Sequence, residues 1–119
     1  MTMPGISRAI RLAQQLQQEI AMIIHQEVKD PRLGFVTITR VELSKDLSHA
    51  KVSYSCLRDA QERARCHTAL DHSTRFIYGL IKKRLRLRIT PTLVFRYDES
   101  IAGAIDLEQA FQRLKQQQP

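Results

Sequence analysis

The sequence contains no tryptophan and, among 119 residues, only two cysteines, four glycines and four prolines. So few cysteines do not make the disulfide framework of a small secreted protein, and two reduced thiols are typical of a cytosolic one. No apolar run approaches the roughly 20 residues of a membrane-spanning helix. The first residues have neither the basic region nor the apolar core of a signal peptide. We therefore expect a cytoplasmic protein with no membrane segment.

What the chain does contain is typical of a folded domain. Hydrophobic residues make up 43% of the sequence and charged residues 26%, which separates it from disordered chains. The length is enough to bury one hydrophobic core. We expect a single domain over residues 1–119, with a frayed tail at about 116–119.

Carboxylates are missing from one long stretch, His72–Tyr97. Its seven basic residues are Arg75, Lys82, Lys83, Arg84, Arg86, Arg88 and Arg96. The whole chain has 19 basic and 12 acidic residues, a net charge of +7, so the remainder balances at 12 against 12. The positive excess is therefore local. It favours an anionic partner, with nucleic acid ahead of a membrane surface.

The first half of this stretch fits an amphipathic helix. At about 100° per residue, one face holds the apolar residues Phe76, Ile77, Leu80, Ile81 and Leu85. The opposite face holds a narrow stripe of cations, Arg75, Lys82 and Arg86. A solvated face normally mixes charges of both signs, so a stripe of one sign favours a binding role. Simple solubility remains the alternative.

The remaining periodicities predict an α+β fold with these helices and strands in order. They are a helix from Ser7 to about Val28, strands Phe35–Leu43 and His49–Leu57, a helix from an Asp59 cap to about Asp71, a helix from Thr74 to about Leu85, a strand Leu87–Tyr97 and a short helix Ala104–Lys115.

Several local signals refine this order. Pro31 ends the first helix, since proline cannot continue one. The apolar residues of the first strand change faces midway, which predicts a β-bulge near residues 39–40. Ser53 and Ser55 are predicted to face outward from the second strand. The short polar side chains at residues 72–74 predict a break between the two middle helices, because they compete for backbone hydrogen bonds.

The predicted order, with its paired middle helices, resembles a bacterial type II KH domain. Four blocks of sequence also resemble the ribosome-binding factor A family, over nearly the whole chain. They are KDPRLG at 29–34, VELSKDL at 41–47 with AKV at 50–52, LRLRITPTL at 85–93 and FRYDES at 95–100.

This resemblance implies a non-enzymatic factor of the bacterial cytoplasm, with no cofactor and no catalytic residues. Such a factor binds the immature small ribosomal subunit near its decoding region and assists maturation of the 5′ part of its RNA. It leaves before translation begins, and a ribosome-associated GTPase promotes its release. The resemblance also implies a monomer when free and a role in adaptation to low temperature.

The resemblance further implies how RNA is held. RNA-gripping KH domains carry a GxxG loop between the paired helices, whereas this family has an Ala-x-Gly kink. Here the corresponding residues 73–75 contain no glycine, so the backbone cannot approach a phosphate closely there. Binding is then expected to rest on side chains, namely Ser73, Thr74, Arg75, Lys82, Lys83, Arg84, Arg86 and Arg88. Arg32 is explained equally well as an RNA contact or as part of a turn.

Aromatic residues offer a second way to bind RNA, by stacking on bases. The candidate aromatic residues for such stacking are Tyr54, Phe76, Phe95 and Tyr97. Their places on apolar faces favour core packing instead. For Phe76, burial predicts that replacement by alanine costs about 3–5 kcal/mol of stability.

Other functional classes have weaker signals. A metal site built from Cys56, Cys66, His67 and His72 would match no zinc spacing. A nuclease would explain the basic surface, but the chain offers no recognisable nucleophile with its base and no acidic cluster. A protein-docking module that uses the Gln-rich face of the first helix is compatible with RNA binding.

Overall fold

Two long helices and three strands make up the computed structural model, which describes residues 4–34, 36–56 and 59–99. This confirms the mixed α+β class. The predicted last helix at 104–115 and the tail at 116–119 lie outside the described residues, as do Phe35 and Leu57. The elements are α1 (Pro4–Gln26), a single 3₁₀ turn (Pro31–Leu33), β1 (Val36–Leu43), β2 (His49–Cys56), α2 (Ala60–Leu85) and β3 (Thr92–Tyr97).

Helix α1 is slightly displaced from its predicted bounds. It begins at Pro4, before the predicted start at Ser7, and ends at Gln26. Its end comes before Val28 because the amide of Val28 donates to the carbonyl of Ile23, 2.9 Å away. A bond that reaches five residues back closes the last turn instead of continuing the α pattern.

The three strands form one sheet in the order β1-β2-β3. The β1 and β2 strands pair antiparallel as the predicted hairpin, whereas β2 and β3 are parallel. Helix α2 is the crossover that a parallel pair requires. Both helices contact the sheet and each other. The core between them contains Leu16, Ile20, Ile23, Ile24, Leu33, Val36, Ile38, Val41, Ala50, Val52, Tyr54, Cys56, Cys66, Ala69, Leu70, Ile77, Ile81, Leu93 and Phe95.

The predicted β-bulge is confirmed. The register of the hairpin shifts between Ile38 and Arg40, so Thr39 is left out of the pairing with β2. The side-chain amide of Gln17 on α1 donates to the carbonyls of Ile38 at 3.3 Å and Thr39 at 3.4 Å. The bulge therefore brings Val41 onto the buried face. The side chain of Gln17 on α1 gives a hydrogen-bond donor to the two carbonyls at the bulge.

The face of β2 that the alternating apolar and polar residues predict to be exposed is partly buried. Ser53 and Ser55 are both buried, although Lys51 is exposed as expected. Because β2 is the central strand, Ser53 is paired with Arg40 on one side and Arg96 on the other. Directly opposed side chains lie close together, so two long neighbours shield a small one.

The break predicted at residues 72–74 is wrong. These residues belong to one continuous helix, α2, which spans 26 residues. The hydroxyl of Thr74 donates to the carbonyl of Leu70 at 2.8 Å. The short polar side chain thus makes its backbone hydrogen bond within the helical conformation and does not compete with it.

Strand β3 is shorter than predicted, beginning at Thr92 and not at Leu87. The amide of Thr92 donates to the carbonyl of Ser48 at 2.8 Å. Pro91, just before it, has no amide hydrogen and cannot extend the pairing. The proline therefore sets the start of this edge strand.

Candidate nucleic-acid interface

Helix α2 carries the candidate interface and is fixed at both ends. At its start, the carboxylate of Asp59 accepts a hydrogen bond from the amide of Glu62 at 2.9 Å, which confirms the predicted cap. Its last turn contains only basic charged side chains, which suit the negative end of the helix dipole. It ends at Leu85, and Arg86 follows in the left-handed conformation, with φ 47 and ψ 44.

The buried side of α2 is centred on Ile77 and Ile81, both fully buried. Leu80 and Leu85 are partly buried. Phe76, which the sequence placed in the core, is 49% exposed. It lies about 100° around the helix from Ile77, so a stripe centred on the two isoleucines leaves it at the edge. The prediction of a buried Phe76 is therefore wrong.

The exposed side of α2 forms a shallow depression of about 620 Å³. Phe76, Gly79 and Leu80 make its apolar part. The cations around it are Arg75, Lys82, Lys83 and Arg86. We call these seven residues the basic surface. The structure therefore brings together four of the predicted site residues and adds an aromatic ring that the sequence assigned elsewhere.

The four cations of the basic surface are exposed. Within residues 4–34, 36–56 and 59–99, none of them forms an ion pair with a carboxylate. Clustered charges of one sign on one face create a positive potential that attracts anions. Such an arrangement suits the phosphates of a nucleic acid.

Arg84 differs from its neighbours because it contacts α1. Its guanidinium lies 3.5 Å from the carboxylate of Glu19 and 3.1 Å from that of Glu27. On the helical projection it falls within the apolar face, about 20° from Ile77. That angle was the available signal that this residue lies on the buried side of α2. The structure thus gives Arg84 a role in joining the two helices.

Arg32 is also held within the fold. Its guanidinium donates to both carboxylate oxygens of Asp30, at 3.0 Å and 2.7 Å. These hydrogen bonds hold the pKa of Asp30 below its usual value. The carbonyl of Arg32 lies 3.1 Å from the thiol of Cys66 on α2. Of the two open interpretations, this geometry favours the turn.

The other predicted site residues lie outside the depression. Ser73 and Thr74 are half-buried on α2, directly before Arg75, and the hydroxyl of Thr74 donates to the carbonyl of Leu70. Arg88 is exposed in the segment that follows the helix.

The chain is similar in sequence to known proteins over most of its length. A family model described as ribosome-binding factor A matches residues 8–111. The chain belongs to the ribosome-binding factor A family. A ribosome-binding factor A of Desulfitobacterium hafniense is 44% identical over 111 residues, which cover 93% of this chain and 89% of that protein.

Solved structures of the ribosome-binding factor A family also resemble the fold. The crystal structure of the Thermus thermophilus protein matches with a TM-score of 0.66 and 31% identity, covering 75% of this chain and 93% of that one. A second Thermus thermophilus model, fitted into a cryo-EM map of a 30S complex with that factor, matches with a TM-score of 0.60. It is 31% identical and covers 73% of this chain and 91% of that chain.

The cysteines of this family member form a buried pair. The sulfur atoms of Cys56 and Cys66 lie 3.3 Å apart, and both thiols are free. Burial raises the pKa of Cys66 to about 12. Across the described ranges, no group of three or more His, Cys, Asp or Glu side chains could hold a metal ion. The pair thus packs between β2 and α2.

Near the cysteine pair, Tyr54 and His67 join the sheet to α2 through a hydrogen bond. The hydroxyl of Tyr54 lies 2.9 Å from Nδ1 of His67, and Nε2 of that ring lies 3.4 Å from the carboxylate of Asp71. Burial raises the pKa of Tyr54 to about 12. Tyr54 is therefore a core residue, as the sequence predicted.

Neither α1 nor α2 is long and apolar enough to cross a bilayer. These are the two α-helices of residues 4–34, 36–56 and 59–99.

Arg86 offers a test of whether the basic surface stores backbone strain. A residue other than glycine in the left-handed conformation costs about 1–2 kcal/mol of backbone strain. Glycine would remove this strain, but it loses more conformational entropy on folding, so only part of the energy is gained. We expect Arg86→Gly to raise the free energy of unfolding by about 0.5–1 kcal/mol, measured by urea denaturation. Arg86→Ala removes the same charge without relieving the strain, so it should not stabilise. Equal stabilities of the two variants would contradict the assigned conformation.

Proposed function

We propose that this protein is a non-enzymatic assembly factor that binds the immature small ribosomal subunit through the basic surface. One observation carries the proposal, namely four exposed cations without a carboxylate partner in the described chain. They stand on a helix that Ile77 and Ile81 anchor in the core. A relative whose structure was fitted into a 30S complex supports the choice of ribosomal RNA as the anion.

We propose that side chains, and not backbone amides, hold the RNA at this surface. The order α1-β1-β2-α2-β3 supports interpretation as a type II KH-like domain in which one continuous helix replaces the paired helices. Because residues 73–75 are helical and lack glycine, they offer no close backbone approach. We assign phosphate binding to Arg75, Lys82, Lys83 and Arg86, with Arg88 beside them. A smaller contribution to RNA binding is assigned to the four predicted residues outside the depression, Ser73, Thr74, Arg84 and Arg32.

Membership of the ribosome-binding factor A family supports a proposal for the biological role as well. We propose that the protein assists maturation of the 5′ part of the small-subunit RNA near the decoding region, in the cytoplasm, and leaves before translation. A ribosome-associated GTPase would drive its release, and demand for it would increase at low temperature. The free protein would act as a monomer.

Sedimentation with ribosomal particles tests the proposal. Purified protein would be mixed with small-subunit precursors or with mature small subunits and centrifuged through sucrose. We expect it to travel with the precursors and to dissociate as salt rises, since phosphate contacts depend on counterion release. In cells lacking the protein, unprocessed 5′ ends of the small-subunit RNA should accumulate most in the cold. A protein that ignores precursors in dilute buffer would overturn the proposal.

A further inference from the structure

An aromatic ring stands among the cations of the basic surface. Phe76 is 49% exposed and lines the same depression as Arg75, Lys82 and Lys83. A single exposed apolar side chain is ordinary on a protein surface. A phenylalanine within a cluster of cations is different, because apolar stacking and charge together match the two parts of a nucleotide.

Gly79 provides a second, independent observation. It lies in the interior of α2, one turn after Phe76 and one turn before Lys82 and Lys83. A glycine inside a helix is unfavourable compared with alanine. A Cβ atom at this position would meet nothing within 4 Å, so packing within the protein does not require the glycine. The bare backbone leaves room for a ligand instead.

We propose that the depression binds an unpaired nucleotide of RNA, with its base stacked on Phe76 and its backbone passing over Gly79. The phosphates on either side of that nucleotide contact Arg75, Lys82, Lys83 and Arg86. This inference rests on the proposed function and names the form of RNA that the same surface takes.

The ring distinguishes unpaired RNA from a duplex. In an A-form helix the faces of the bases are stacked on each other, and side chains reach mainly phosphates and 2′-hydroxyls. A duplex would therefore use the four cations and leave Phe76 in water. Only a base out of its stack offers a flat face to the ring.

A fluorescent variant tests the stacking directly. The chain has no tryptophan, so Phe76→Trp places a single indole in the depression. We expect its fluorescence to be quenched by a short single-stranded RNA, and much less by a duplex or by an abasic strand of equal length. Equal responses to all three probes, or no response to the single strand, would overturn the proposal.

Affinity measurements separate stacking from charge. We expect Phe76→Ala to weaken binding of the single strand roughly 5- to 150-fold, with the salt dependence unchanged because no phosphate contact is lost. Phe76→Tyr keeps a ring and should retain most of the affinity. Met22→Ala, at an exposed apolar position on α1, is the matched control and should change nothing. Wild-type affinity of Phe76→Ala would overturn the proposal.

Gly79→Ala tests the close approach of the backbone. We expect Tm to rise by about 3–4 °C from the gain in helix propensity, while affinity for the single strand falls at least about tenfold. A rise in Tm with unchanged affinity would overturn this part of the proposal.

Failure of the stacking proposal is distinguishable from failure of the proposed function. If Phe76→Ala still sediments with small-subunit precursors as the wild type does, the function stands and the stacking is wrong. If the wild type itself does not sediment with precursors, the function is wrong, whatever the oligonucleotides show.

Discussion

Replacing Lys82 and Arg86 together by alanine is expected to weaken RNA binding about 30- to 150-fold while leaving the protein folded. Each side chain would contribute about 1–1.5 kcal/mol through a hydrogen bond to phosphate. The slope of log K against log salt should also become less steep by about two, one for each cation removed. Both residues are exposed, so the free energy of unfolding should change by less than about 1 kcal/mol. Filter binding across a salt series measures both effects.

The matched control for this variant lies on the hairpin. Lys45 and Lys51 are exposed, and replacing both by alanine removes the same two charges, taking the net charge from +7 to +5. If net charge alone governed binding, the two double variants would lose equal affinity. That outcome would contradict a role for the basic surface, as would unfolding of the Lys82 and Arg86 variant.

Ile77→Ala is expected to lower the free energy of unfolding by about 2–5 kcal/mol, because it opens a cavity in the core. Ile77 is fully buried, on the side of α2 that faces the core, within the part of the helix that carries the basic surface. Urea denaturation followed by circular dichroism measures the change. A loss of this size is a large fraction of the roughly 5–15 kcal/mol that usually stabilises a domain.

The neighbouring residue is the control for Ile77. Phe76 is larger but half exposed, so Phe76→Ala should cost less than about 1 kcal/mol, because surface substitutions rarely cost more. The sequence alone predicted about 3–5 kcal/mol for that change on the assumption of burial. A larger loss from Phe76→Ala than from Ile77→Ala would show that α2 is rotated from its assigned orientation.

Local chemistry predicted much of the fold. The Asp59 carboxylate caps α2, and the change of apolar faces in β1 marks the bulge at Thr39. Pro31 begins the 3₁₀ turn, after α1 has already ended at Gln26. Each of these signals acts within a few residues. Local signals were misleading at Thr74, where the hydroxyl could serve either a helix or a break.

The orientation of α2 depended on distant parts of the chain. Five apolar residues between 76 and 85 define a wide face, and the sequence does not say which part of it meets the sheet. The structure centres the contact on Ile77 and Ile81, which turns Phe76 outward. The position of α1 decides that Arg84 meets Glu19 and Glu27. Such pairings between residues far apart in the chain leave no local pattern.

The parallel pairing of β2 with β3 affects the order of events during synthesis. Helix α2 connects these two strands, so it emerges from the ribosome with all its cations before β3 has been made. Until β3 docks, the sheet lacks its third strand, and α2 has its contacts with α1 and β2 but not those with β3. A nascent chain therefore carries the cations of α2 early and completes the packing of this helix only when β3 joins the sheet.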